Sequence, residues 1–476
     1  MAIPSASYSI TVRLEVPADP NAVGLLTTAV GSAGGVVTAL DVTESQPDRL
    51  VLDLTCAARD AAHSEQLTDA LRAVDGVGIR KVSDRTFLLH LGGKIEVRSK
   101  VPLKTRDDLS MAYTPGVARV CLAIARYPED ARRLTIKRNS VAVVTDGSAI
   151  LGLGNLGPAA ALPVMEGKAA LFKRFGNIDA WPICLDTQDV DEIVRTVQLI
   201  APVFGGINLE DIAAPRCFEV ERRLRELLDI PVFHDDQHGT AIVVLAALTN
   251  ALRVVGKDLA GVRVVMSGAG AAGSAVLRLL LHAGVRYVVV ADREGVIYPG
   301  RPALDDNTGW IAEHTNSDLA RGALRGALAG ADVFIGLSAP NILTGDDIAT
   351  MAPRAIVFAL ANPDPEVDPV AARKHAAVVA TGRSDEPNQI NNVLAFPGVF
   401  RGLLDAGAED VTLETEAAAA TAIAHVLCDD ELNPSFIVPS VFNPNVVKAV
   451  AAAVSQCAVP RGAQPTADRA GLAVVG

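Results

Sequence analysis

The chain has 476 residues, of which 50% are hydrophobic and 21% charged, and its 43 Lys and Arg against 55 Asp and Glu give a net charge of -12. This acidic balance, without a long basic run, argues against nucleic acid and anionic membranes as partners. The amino terminus lacks the pattern of a signal peptide and no segment has the roughly 18 consecutive apolar residues of a membrane span, so we expect a cytoplasmic protein.

A chain of this length should divide into about three domains, and the first is recognisable from its alternation of strands and helices. The predicted elements are, in order, a strand over 8–16, a helix that ends at Gly34-Gly35, strands over 36–42 and 49–56, a helix over 61–74 and a last strand toward 87–91. The order βαββαβ predicts a ferredoxin-like domain over residues 1–92.

This first domain resembles the ACT family of small-molecule-binding regulatory domains, most of all in the turn PADPNAVGLL, which contains Gly24. The resemblance implies a small-molecule effector, an amino acid for example, that binds between paired copies of the domain near Gly24. A dimerisation module without a ligand is the alternative.

Two larger domains and a tail follow. Helical segments mixed with loops rich in Gly, Pro and Asp predict a mixed α/β catalytic domain over residues 93–237. A long helix over 241–255 then opens an alternation of strands and helices, which predicts a doubly wound, Rossmann-type domain over residues 238–458. The segment 459–476 is expected to be a disordered tail.

A glycine-rich turn carries the dinucleotide signal of the last domain. It lies between a predicted strand over 259–267 and a helix, and a second strand ends at Asp292 about 20 residues later, as the dinucleotide fingerprint requires. The candidate pyrophosphate-binding residues at the helix N-terminus are Gly268, Gly270, Ala271 and Gly273. Asp292 would bind the ribose hydroxyls and favours NAD over NADP, whereas the nearby Arg293 and Arg301 leave NADP open.

Two acidic pairs, Glu210-Asp211 and Asp235-Asp236, each follow an apolar segment. So many carboxylates in one neighbourhood repel each other unless a cation compensates them. Oxygen ligands without cysteine suit a hard divalent ion, Mg²⁺ or Mn²⁺. A solvated surface is the alternative for any one pair, although the preceding apolar segments argue against it for both.

Six motifs in order resemble the malic enzyme family over roughly residues 94–455. They are AYTPGVA (112–118), VTDGSAILGLGNLG (144–157), VMEGK (164–168), the two acidic pairs, ANPDPE (361–366) and NQINNVLAFPG (388–398). The resemblance implies oxidative decarboxylation of (S)-malate to pyruvate and CO2, with reduction of NAD and a requirement for Mg²⁺ or Mn²⁺. It also implies a homodimer or a larger homo-oligomer.

The resemblance also implies residue roles. The metal ligands would be Glu210, Asp211 and Asp236. Lys168 would be the general base, paired with Asp235, and Tyr113 the general acid. The residues that would hold the substrate carboxylate or the nicotinamide end are Asn362, Asn391 and Asn392, of which the last two are not separable by sequence.

One position departs from the larger members of the family, which carry a carboxylate-binding arginine where this chain has Ala149. The departure resembles the shorter bacterial type. Ser148 and the backbone amides of the loop 152–157 are possible substitutes for the arginine.

Two rival functions remain open at this stage. A hydroxy-acid or amino-acid dehydrogenase without decarboxylation would explain the dinucleotide turn but not the metal carboxylates. A non-catalytic sensor that binds an effector and a nucleotide would predict a degraded active site, whereas the catalytic residue types are all present.

Overall fold

The computed structural model describes residues 4–458, which form two compact units that divide between Val97 and Arg98. The predicted tail over 459–476 lies outside the described residues. The sequence places the first boundary slightly earlier, at residue 92.

The first unit has the predicted βαββαβ order, followed by one short helix. Its elements are β1 Ser5–Pro17, α1 Ala22–Ser32, β2 Val36–Ser45, β3 Arg49–Ala58, α2 Ala61–Arg72, β4 Gly78–Asp84 and α3 Arg85–His90. The strands form an antiparallel sheet in the order β2-β3-β1-β4, and both longer helices bury apolar side chains with it. The ferredoxin-like prediction is confirmed.

The predicted last strand toward residues 87–91 is wrong. The strand β4 ends at Asp84, and the following residues 85–90 are helical. The reason is a helix cap, because the Asp84 carboxylate accepts hydrogen bonds from the amides of Thr86 (2.7 Å) and Phe87 (3.1 Å). His90 therefore lies on a helix and not in a strand.

The second unit contains two sheets. Its helices are α4 Arg106–Ala112, α5 Val117–Arg126, α6 Asp130–Leu134, α7 Pro158–Gly176, α8 Val190–Ile200, α9 Arg216–Leu227, α10 Thr240–Val255, α11 Ala271–His282, α12 Asp306–His314, α13 Leu324–Ala327, α14 Gly345–Ile348, α15 Pro369–Ala372, α16 Phe396–Ala406, α17 Leu413–Ala424 and α18 Pro444–Cys457. Its strands are β5 Ser140–Thr145, β6 Asp179–Cys184, β7 Gly206–Leu209, β8 Val232–His234, β9 Arg263–Ser267, β10 Tyr287–Asp292, β11 Gly295–Val296, β12 Val333–Gly336, β13 Ile356–Ala359 and β14 Val378–Thr381.

The smaller sheet is parallel in the order β6-β5-β7-β8, and the larger one has the order β11-β10-β9-β12-β13-β14. In the larger sheet, β9, β10, β12, β13 and β14 are parallel, and the short β11 pairs antiparallel at the edge. A parallel sheet that extends in both directions from its first strand is the doubly wound arrangement. The Rossmann-type prediction is confirmed.

One hydrophobic core joins the two sheets. It contains Val141 and Phe172 from the side of the smaller sheet and Val264 and Ile356 from the larger one, with α10 between them. The run Asp235–Val255, which includes α10, is long and apolar enough for a membrane span, but 72% of its apolar 18-residue stretch is buried within the protein. It is therefore a core helix of the second unit.

The last described helix, α18, packs closely against α16. Gly398 and Gly402 of α16 make this possible, because an added Cβ would come within 2.6 Å of Val450 at the first position and 2.7 Å of Val454 Cβ at the second. Real side chains do not approach this closely. The packing fixes α16, whose first residue is Phe396.

Candidate active site

The two acidic pairs follow neighbouring parallel strands. Glu210-Asp211 comes directly after β7, and Asp235-Asp236 directly after β8. The carboxyl ends of parallel strands share one edge of a sheet, so the two pairs meet there. The amide of Asp211 donates to Asp236 Oδ2 at 2.8 Å. We call these four residues the acidic cluster.

Lys168 reaches the acidic cluster from α7. Its ammonium lies 2.5 Å from Asp235 Oδ2 and 2.8 Å from Glu210 Oε1, and 4.3 Å from the centre of the Phe396 ring. The Lys168 side chain is only 7% exposed. Burial opposes the ammonium form, but the attraction of Asp235 and Glu210 outweighs it and raises the pKa of Lys168.

Three of the four carboxyl groups of the cluster resist ionisation. Burial raises the pKa of Glu210 well above its usual range, and Lys168 opposes this shift only in part. Burial, with repulsion from Asp236, raises the pKa of Asp211 to about 7. Burial likewise raises the pKa of Asp235. Burial opposes the charged form of Asp236 as well, but the hydrogen bond from His234 lowers its pKa. One ammonium therefore does not neutralise the whole cluster.

Two histidines hold the turn that carries Asp235 and Asp236. The Nε2 atom of His234 lies 3.2 Å from Asp236 Oδ2. His238 contacts a carboxylate through each ring nitrogen, with Nε2 2.6 Å from Glu221 Oε1 and Nδ1 2.8 Å from Glu416 Oε1. Burial opposes the charged imidazole, but Glu221 and Glu416 raise the pKa of His238 to about 10.

The acidic cluster fits a divalent cation. Among the described residues, no three His, Cys, Asp or Glu side chains converge as a ready-made metal cage, since Lys168 and His234 occupy several carboxylate oxygens. Asp211 Oδ2 and Asp235 Oδ1, however, are buried without a hydrogen-bond partner. Buried carboxylate oxygens without a donor favour a cation, and an all-oxygen set suits Mg²⁺ or Mn²⁺.

The glycine-rich turn fits a dinucleotide. Gly268 has φ +112°, and an added Cβ would lie 2.4 Å from Leu337 O. At Gly273 an added Cβ would lie 2.1 Å from Gly268 O, so helix and turn pack in direct contact. Gly270 has nothing within 4 Å of that position, and α11 begins at Ala271. The turn thus leaves open space for a pyrophosphate at a helix N-terminus.

Asp292, the candidate ribose ligand, is already paired. Arg301 donates to Asp292 Oδ1 at 2.9 Å, to Oδ2 through its other terminal nitrogen, and to Gly295 O at 3.2 Å. Partial burial opposes the charged carboxylate, but the hydrogen bond from Arg301 lowers the pKa of Asp292. The arginine that the structure brings to the ribose position is therefore Arg301.

Comparison with known proteins gives one consistent family. Residues 92–225 match the malic enzyme N-terminal domain, and residues 237–459 match the malic enzyme NAD binding domain. The chain belongs to the malic enzyme family.

Relatives of this chain agree with the assignment. It is 56% identical over 465 residues to an NAD-dependent malic enzyme of Geobacillus stearothermophilus, which covers 97% of both chains. It is 53% identical to a bifunctional malic/malolactic enzyme of Bacillus subtilis, over 80% of this chain and 94% of the relative. The crystal structure of an NAD-dependent malic enzyme from Thermotoga maritima matches 78% of this chain and 99% of its own, with 47% identity and a TM-score of 0.76.

In this malic enzyme, Tyr113 lies apart from the described partners of Lys168. It follows α4 directly and is 68% exposed. The contacts that the structure gives the Lys168 ammonium are Asp235, Glu210 and Phe396. Tyr113 is thus the one candidate catalytic residue that lies at the surface of the described chain.

The three candidate asparagines have different surroundings. Asn392 donates to Asp235 Oδ2, the same oxygen that contacts Lys168. Asn391 instead accepts from the amide of Val393 at 3.0 Å and caps a short 3₁₀ turn. Asn362 is exposed beside Gly382, where an added Cβ would lie 3.2 Å from its side-chain oxygen.

Near Ala149, Ser148 is fully engaged. Its hydroxyl lies 2.5 Å from Asp146 Oδ1 and accepts from the amide of Ala213 at 2.9 Å. Arg216, which the sequence analysis did not single out, donates to Asp146 Oδ2 at 3.2 Å, and its Nε is buried without a partner. Phe396 lies in the motif NQINNVLAFPG, but the sequence analysis did not predict it as a site residue. Sequence alone does not show that its ring covers Lys168.

Proposed function

We propose that this chain catalyses the oxidative decarboxylation of (S)-malate to pyruvate and CO2, with reduction of NAD and with Mg²⁺ or Mn²⁺. The observation that carries the proposal is the buried Lys168 ammonium between Asp235 and Glu210, beside carboxylate oxygens that have no donor. A dehydrogenase without decarboxylation would not require so many buried acids at one sheet edge.

The ligand roles divide within the acidic cluster. Glu210, Asp211 and Asp236 would hold the cation, which would supply Lewis-acid stabilisation of the negative charge on the substrate oxygen. Asp235 is bonded to Lys168 and Asn392, so its role is to position the base.

The remaining roles concern protons and orientation. A divalent cation held by the neighbouring carboxylates would disfavour the ammonium form of Lys168, and the neutral amine would then take the proton of the C2 hydroxyl. Tyr113 would deliver a proton to C3 of the enol form of pyruvate. Asn362 lies in a loop beside Gly152 and Gly382, where it could hold the carboxamide or carboxylate end of a ligand. Asn391 would support the site by capping the 3₁₀ turn, and Asn392 by its hydrogen bond to Asp235.

The direct test is nicotinamide reduction with (S)-malate, with and without Mn²⁺, while pyruvate is assayed in the same samples. Metal-dependent reduction with matching pyruvate supports the proposal. Reduction without metal or pyruvate would instead indicate a simple dehydrogenase. Binding of NAD without any turnover, under every condition tested, would indicate a sensor.

We propose that NAD is preferred over NADP. Asp292 is an acceptor that would repel a 2'-phosphate, whereas Arg301 could attract one. The ratio of kcat/KM for the two cofactors tests the preference, and Asp292→Ala should reduce it.

We propose that the active form is a homodimer or a larger homo-oligomer. Within the described chain, α4 and α5 have no buried side chain, although both carry large apolar residues. The exposed ones include Leu109, Met111 and Leu122, and Leu103 just before α4 is exposed as well. Exposed apolar surface of this kind marks a protein interface. The same segment carries Tyr113, so a second copy would cover its surroundings. Light scattering of the wild type and of Leu109→Asp tests this, and a monomeric wild type would refute it.

Regulation and location stay predictions. Gly24 lies exposed in the first turn of α1, and an added Cβ there would have nothing within 4 Å. An effector that binds near it, between paired copies, should give heat on titration of amino acids and central metabolites into the full chain. The Gly24→Leu variant should remove that heat. The cytoplasmic location is likewise a prediction.

A further inference from the structure

Glu366 ends the motif ANPDPE, and no step described above uses it. It is 0% exposed, lies in the loop after β13, and is far in sequence from the acidic cluster. Its carboxylate accepts from the amide of Ser338 through Oε1 at 2.9 Å and from the amide of Ala361 through Oε2 at 3.0 Å. The two donors belong to the loops that follow the neighbouring strands β12 and β13.

Gly336 leaves the space in which the Glu366 carboxyl group lies. Gly336 is the last residue of β12, and an added Cβ there would lie 2.3 Å from Glu366 Cδ and 2.6 and 2.7 Å from its two oxygens. The carboxyl group therefore occupies the space that any other residue at 336 would fill. Burial raises the pKa of Glu366, and the backbone amides of Ala361 and Ser338 oppose the shift.

Both loops that donate hydrogen bonds to Glu366 adjoin residues predicted to bind the cofactor. On one side, Leu337 O packs against Gly268, and the hydroxyls of Ser338 and Ser267 lie 2.7 Å apart. On the other side, Ala361 directly precedes Asn362. The same carboxylate thus links the pyrophosphate turn to the loop of Asn362.

We propose that Glu366 is a positioning residue for NAD, which sets the spacing between the Gly268 turn and the Asn362 loop before the cofactor arrives. The inference rests on the proposed function, because it assumes that the turn binds NAD. Without both acceptor oxygens, one buried amide loses its partner, and the cofactor must restore the spacing at the expense of its own affinity.

The test uses calorimetric titration of NAD into the full-length protein and into three variants. Glu366→Gln keeps the size of the side chain but turns one acceptor into a donor that faces an N–H. Gly336→Ala displaces the carboxyl group and leaves its charge. The matched control is Asp368→Asn, which makes the same acid-to-amide change at an exposed position that only caps α15.

We expect Glu366→Gln and Gly336→Ala to raise the Kd for NAD by about tenfold or more, and Asp368→Asn to leave it unchanged. The KM for malate at saturating NAD should change little, whereas a merely structural role would lower the melting temperature and leave the Kd alone. A folded Glu366→Gln protein with a Kd within twofold of the wild type overturns the inference.

Hydrogen exchange on the wild type tests the inference without depending on whether a variant folds. The amides of Ser338 and Ala361 should exchange slowly without NAD, because the carboxylate already holds them. Fast exchange of either amide in the absence of NAD overturns the inference. If the wild type itself binds no NAD, the proposed function fails instead.

Discussion

Replacing Lys168 by Met tests how much the Lys168 ammonium stabilises the acidic cluster. The substitution removes a buried ammonium that touches Asp235 and Glu210 at 2.5 and 2.8 Å and leaves two buried carboxylates without their cation. Breaking a buried ion pair by removing one partner costs about 3 to 5 kcal/mol. We expect a loss of that size in the free energy of unfolding at pH 8 without metal.

Two conditions should reduce the loss. Without the ammonium, the pKa values of the carboxyls rise further above their unfolded values, so the folded protein binds more protons than the unfolded one. Stability is then present at low pH and lost as pH rises through the folded pKa, by up to about 1.4 kcal/mol per pH unit for each group. The penalty should be smaller at pH 6 than at pH 8. Mn²⁺ should restore part of it, since a cation replaces the ammonium.

The assay is urea unfolding at both pH values, with and without Mn²⁺. Lys173→Met is the matched control, because Lys173 lies on the same helix, is 55% exposed and pairs with Asp179 at 2.8 Å. An exposed pair contributes less than about 1 kcal/mol. Equal losses in the two variants, or a Lys168→Met penalty that does not depend on pH, would refute the reasoning. Lys168→Met should also abolish malate oxidation and keep NAD binding.

Three further outcomes are expected. Mn²⁺ at 100 times its Kd should stabilise the wild type by about 2.7 kcal/mol in thermal unfolding, and Asp211→Asn should lose most of this gain; an unchanged gain would remove Asp211 from the ligand set. The pKa of His238 is raised to about 10, so its stabilisation is complete below its unfolded pKa of about 6.5 and is lost as pH rises toward 10; urea unfolding across that range should show a fall that His238→Gln lacks. Tyr113→Phe should impair tritium exchange into pyruvate more than malate oxidation, and equal impairment would contradict its role as the acid at C3.

The first unit shows where sequence patterns suffice. Strict alternation over residues 8–16 identifies β1, because side chains of a strand alternate between the sheet face and solvent. The run FLLHL at 87–91 is apolar except for His90 and carries no such period, so it does not separate strand from helix. The cap by Asp84 decides for the helix, and the sequence analysis did not recognise that cap.

The site shows a different limit. Both acidic pairs were found because each directly follows an apolar strand, which places carboxylates at one sheet edge. Asn391 and Asn392 could not be separated, since their difference depends on which side chain faces Asp235. The partners of His238 on α9 and α17 depend on how distant helices pack, and no local pattern records that.

The contact between Asn392 and Asp235 has a consequence for synthesis. It joins residues 157 positions apart, and the helix that carries Phe396 is fixed by α18 near the end of the described chain. Domains fold in order as the chain leaves the ribosome. The first unit and the smaller sheet therefore emerge while the acidic cluster still lacks its cover. The cluster gains its cover only after α16 and α18 have emerged and packed together, and a chain that ended before Asn392 would leave the cluster uncovered.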